Sequence, residues 1–97
     1  MATRIVLTYT RPTADVSFLP FSDELVELIN IYQSDGKISG YAVDESQENK
    51  LIYTLTYADD TVKTEFRNKS AVVNYEDERD AHNHENGISS TLDEYFL

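Results

Sequence analysis

Two segments of two-residue periodicity flank one of helical periodicity, and this arrangement constrains the fold more than any other feature of the chain. From Arg4 to Thr10, Ile5, Leu7 and Tyr9 alternate with Val6, Thr8 and Thr10; from Leu51 to Tyr57, Leu51, Tyr53, Leu55 and Tyr57 alternate with Ile52, Thr54 and Thr56. Successive side chains of a strand point to opposite faces. Each segment therefore reads as a strand with one strongly apolar face and one β-branched face. Between them, Leu25, Leu28, Ile29 and Tyr32 keep the i, i+3, i+4, i+7 spacing of a single helical stripe.

Local signals set the ends of these elements. Arg11-Pro12 stops the first strand, because proline has no N–H to give to a ladder and restricts its neighbour. The connection to Phe21 carries Phe18, Leu19 and Pro20, too apolar for a free linker, so it is expected to fold back on the core. Ser22 is an N-cap, Asp23 and Glu24 suit the positive end of a helix dipole, and Phe21 and Val26 stand at staple positions. With Gly36 past the far end, the spacing predicts a helix over Asp23 to Ser34. Ile38 to Asp44 reads as a weaker strand, joined by a polar loop to Leu51–Tyr57 as a hairpin. Asp59-Asp60 opens a short helix with Val62 and Phe66 on one face, and Asn68-Lys69-Ser70 interrupts it. A longer helix then runs from Ser70 through Tyr75 and Arg79 to the stop at Asn86-Gly87. The last strand is expected from Ile88 to about Leu92, with Tyr95-Phe96-Leu97 as an apolar tip beyond it.

The order β-α-β-β-α-β is the ferredoxin-like, split βαβ arrangement. It predicts an α+β single domain over residues 1–97, with a four-stranded antiparallel sheet, helices on one face, and the first and third strands central. Leu7, Leu25, Leu28, Ile29 and Leu55 should share one core. Helices cover only one face of such a sheet. Val6, Thr8, Thr10, Ile52, Thr54 and Thr56 then make an uncharged, β-branched patch on the other, and they are the interface candidates.

Composition narrows the function. Eighteen acidic residues stand against eight basic ones, a net charge of −10. Phosphate backbones and anionic lipid both require clustered Lys and Arg, so neither nucleic acid nor membrane is an expected partner. No apolar run approaches a span and no signal-peptide pattern opens the chain, so it is expected in a host cytoplasm or virion, not secreted. There is no cysteine, which removes disulfides, thiolate catalysis and cysteine-bound metal. His82 and His84 are about 200° apart on a helix, too divergent for one metal, and no cofactor or catalytic residue is assigned. The acidic run around Glu76-Asp77-Glu78 reads first as a solvated helix face, and otherwise as phosphate mimicry. Seven tyrosines suit strands and pocket walls alike. Tyr9, Tyr53 and His82 are the alternative pocket candidates.

Two families resemble this pattern. The element order with an open sheet face looks like the dimeric α/β-barrel group, which includes antibiotic-biosynthesis-type monooxygenases and related stress-response proteins. Thr8-Tyr9-Thr10-Arg11-Pro12, Tyr57-Ala58-Asp59-Asp60, Ala71-Val72-Val73, Arg79-Asp80-Ala81-His82-Asn83 and Asn86-Gly87-Ile88 are similar to segments of small uncharacterised proteins of tailed marine bacteriophages. With no catalytic constellation in view, the leading expectation is a non-enzymatic phage accessory or virion-associated protein. It would act through protein–protein contacts and self-associate. The alternatives are a dimeric α/β-barrel enzyme or small-molecule binder, and an acidic inhibitor that mimics DNA.

Overall fold

The computed structural model describes all 97 residues, Met1–Leu97. The elements run β1 (Thr3–Thr10), α1 (Asp23–Ser34), β2 (Ile38–Asp44), β3 (Lys50–Tyr57), α2 (Asp60–Arg67), α3 (Ser70–Asn86) and β4 (Ser89–Phe96). The strands form one antiparallel sheet in the order β2-β3-β1-β4, with the two strongly alternating segments as its central pair. The fold is the ferredoxin-like α+β arrangement, with its second helical region divided into α2 and α3.

The expected caps set the helix ends. Ser22 Oγ accepts from the Leu25 N–H at 3.2 Å, and Asp59 Oδ1 accepts from the Val62 N–H at 2.9 Å. α3 stops at Gly87, whose φ of 69° lies in the left-handed region that costs glycine nothing. The chain then turns at once into β4.

Ile5 and Tyr9 of β1 and Leu51, Tyr53, Leu55 and Tyr57 of β3 face the helices and are buried. Leu25, Ile29 and Tyr32 of α1, Phe66 of α2, and Val72 and Tyr75 of α3 close over them. Each fully buried aliphatic contributes about 1.5–3 kcal/mol. Leu7 and Leu28 are only half-buried, and pack against the margin of this core rather than inside it. The connection 11–22 does fold back. Phe21 stacks on Tyr53 with ring centroids 3.8 Å apart and meets Tyr75 edge-on at 5.0 Å.

β4 is longer than expected. Its ladder with β1 continues through Asp93-Glu94 to pair Phe96 with Thr3, and the Leu97 N–H reaches the Ala2 carbonyl at 2.9 Å. An edge strand bonds through its backbone on one side only, so charged side chains do not end it. Every residue of β4 is exposed, because the helices sit over β3 and β1 and leave this edge uncovered.

Candidate functional site

The uncovered edge opens a cleft between the sheet and the helices. Its floor is Ile5, Leu7, Leu55 and Tyr57, its inner wall is Phe21, Leu25, Phe66 and Val72, and its outer lip is Ser90, Thr91 and Leu92 of β4. It encloses about 180 Å³. Two hollows elsewhere, of about 410 and 570 Å³, are more open and lined mainly by polar side chains.

α3 places the polar groups of the cleft. Val72, Tyr75, Glu76 and Arg79 follow helical spacing, so the arginine occupies the stripe that otherwise buries apolar residues. Arg79 Nη1 donates to the Tyr9 hydroxyl at 3.2 Å, while Nε and Nη2 donate to Asp80 Oδ1 at 3.2 and 3.0 Å. The side chain is only 16% exposed. Burial opposes its charge, but the bonds to Tyr9 and Asp80 outweigh burial and raise its pKa. Arg67 of α2 faces Glu76 across the mouth, with Nη2 3.4 Å from Oε1. At the far end Lys63 of α2 pairs with Glu94 of β4 at 2.5 Å and tethers the lip.

The tyrosines around the cleft are held protonated. Burial pushes Tyr53 up to about 12 and raises Tyr57 and Tyr75 well above the ordinary phenol value. Tyr75 uses its hydroxyl on the Leu19 carbonyl at 3.0 Å. Glu76 is the one carboxylate in the lining.

Of the sequence-derived pocket residues, Tyr9 and Tyr53 come together, edge to face at 5.9 Å, and Tyr9 reaches the cleft through Arg79. His82 does not join them. Its Nε2 bonds to the Ser17 carbonyl at 2.7 Å and pins the connection to α3. His84 is exposed, and no three His, Asp or Glu side chains converge into a metal-binding group.

Val6, Thr8, Thr10, Ile52 and Thr54 lie half-buried on the open sheet face. Thr56 sits beneath it instead, 7% exposed. Arg4 Nε donates to its hydroxyl at 3.2 Å, and Gly40 lies so close that a Cβ there would come 3.3 Å from that oxygen. Arg67, Arg79 and Leu92 were missing from the sequence-derived site. The visible signal was Arg79 at i+7 from Val72 and i+4 from Tyr75, a charge within an apolar stripe.

No protein-family model matches the chain. No curated protein matches it either. Solved structures do. An antibiotic biosynthesis monooxygenase superposes with a TM-score of 0.66 at 16% identity, covering 100% of this chain and 98% of its own. SnoaB, a cofactor-independent oxygenase from Streptomyces nogalater, gives 0.64 at 8% identity, over 99% and 92%. A protein from Pseudomonas aeruginosa gives 0.63 at 13%, over 99% and 93%. These likenesses establish a shared fold.

They also overturn the expectation of a non-enzymatic phage or virion protein. The structures that share the fold come from bacteria and include oxygenases, and they favour the enzyme or small-molecule alternative. The expectation rested on the lack of a catalytic constellation. A cleft assembled from apolar side chains of six elements and one loop leaves no spaced motif in a sequence.

Proposed function

We propose that the protein is a small-molecule enzyme of the dimeric α/β-barrel kind, performing oxygenase-type chemistry on an organic substrate held between sheet and helices. The cleft itself carries the reading: it is an apolar recess with a few convergent polar groups, the usual form of a ligand site. The oxygenase assignment draws on the solved structures with this fold. In this chain Arg79 faces a developing negative charge on substrate oxygen, Glu76 is placed to accept a proton, and the aromatic and aliphatic walls exclude water. Oxygen uptake with a panel of small phenols and enols tests it. Uptake that Leu92→Trp abolishes, by filling the cleft from its exposed lip while circular dichroism stays native, supports the reading; uptake unaffected by that change, or none across the panel, overturns it.

The open sheet face supports self-association as the companion reading. Its five half-buried β-branched residues carry no charge and form an apolar strip bordered by Asp93 beside Val6, Asp44 beside Ile52 and Lys50 beside Thr10, and Tyr95 exposes further apolar surface on the same face.

A further inference from the structure

We propose that the cleft selects a single-ring organic anion, a ring-bearing carboxylate or phenolate, and excludes fused multi-ring compounds. This deepens the reading of the cleft as a small-molecule site and rests on it. Two independent observations carry it.

The first is size. An apolar cavity of about 150 Å³ accepts one benzene ring, and sites for drug-sized ligands span roughly 300–1,000 Å³. At about 180 Å³ the cleft belongs with the former. Aromatic contacts line its floor and inner end. Tyr57 and Phe66 hold the floor to the wall, with ring centroids 5.5 Å apart, and Phe21 is clamped between Tyr53 and Tyr75 at the inner end. Lys63 ties the β4 lip to α2.

The second is charge. On a chain of net charge −10, two of the eight basic side chains stand in this one lining. Arg67 is matched by Glu76 across the mouth. Arg79 is matched by Asp80, which is 68% exposed and outside the lining, so the cleft itself carries an excess of positive charge. The guanidinium also keeps N–H groups beyond those given to Tyr9 and Asp80. A buried apolar body and a rim-bound anionic oxygen are what this geometry complements.

The test is a chemical-shift titration of the protein with benzoate, benzyl alcohol and anthracene-2-carboxylate, read at Leu25, Leu55 and Val72. Benzoate should bind at these residues about tenfold more tightly than benzyl alcohol, the worth of one charge-assisted hydrogen bond. The tricyclic acid should leave them unmoved. Arg79→Gln should bring benzoate down to the level of the alcohol. Leu92→Trp, at an exposed lip position that tolerates bulk, should block both single-ring compounds without disturbing the core. Equal binding of benzoate and the alcohol, or entry of the tricyclic acid, overturns the selectivity while leaving a small-molecule cleft. Silence from all three compounds overturns both.

Discussion

Arg79 on α3 donates a hydrogen bond to the hydroxyl of Tyr9 on β1, joining the polar edge of the cleft to a buried tyrosine of a central strand. The bond crosses 70 residues of sequence and links the helix layer to the sheet at the point where the cleft opens. Tyr9→Phe keeps the packing and removes the acceptor. It should cost about 1–2 kcal/mol in urea denaturation. A double-mutant cycle with Arg79→Gln should show coupling of about 0.5–1.5 kcal/mol. Additive effects would mean the contact has no energetic weight.

The core margin gives a graded comparison. Ile29 is fully buried, so Ile29→Ala should cost about 2–5 kcal/mol. Leu28, half-buried one position earlier on α1, leaves a hollow that water can enter, and Leu28→Ala should cost less than about 2 kcal/mol. Equal losses would place Leu28 inside the core after all.

The connection 11–22 is held by side chains that bind its carbonyls: Arg11 on Val16, His82 on Ser17 and Tyr75 on Leu19. His82→Ala removes the middle tie. Limited proteolysis after Phe18 should accelerate several-fold, while global stability falls by only about 1 kcal/mol. Unchanged proteolysis would leave the remaining two ties sufficient.

Alkaline pH should weaken the fold. Tyr53, Tyr57 and Tyr75 have folded pKa values raised by burial above the ordinary value of 10.0, that of Tyr53 to about 12. The unfolded chain then releases protons first, so stability is intact below pH 10 and falls as pH rises toward and past 12. Phenolate absorbance should appear together with unfolding rather than before it.

Thr54→Lys tests the open sheet face. Thr54 is half-buried there, opposite Val6 and Ala42 on the neighbouring strands. If two copies meet on this face, light scattering should show the variant falling to monomer while its circular dichroism stays native. A wild type monomeric at high concentration would remove the face as a contact.

Much of this architecture was legible in the sequence because its signals are local. The alternation of Ile5, Leu7 and Tyr9, the stripe from Leu25 to Tyr32, the caps Ser22 and Asp59, and the stop at Gly87 each act within a few residues. β4 was underestimated past Leu92, since an edge strand is held by backbone pairing and not by an apolar pattern. The site was less legible. Tyr9 and Tyr53 meet edge to face but stand outside the cleft lining, His82 serves the connection, and Thr56 is covered by Arg4 from another strand.

Periodicity and capping by themselves determined the order of elements, the central strands and the face each residue takes. These depend on the two repeat lengths of the backbone and on groups adjacent in the chain. Only the tertiary structure decided that the helices stop short of β4, that a cleft of about 180 Å³ remains there, and that Arg67 and Arg79 stand at its mouth. That outcome follows from the pairing of β4 beside β1 and from the packing of α2 and α3 over β3 and β1. Both bring together residues whose separation along the chain carries no local signal.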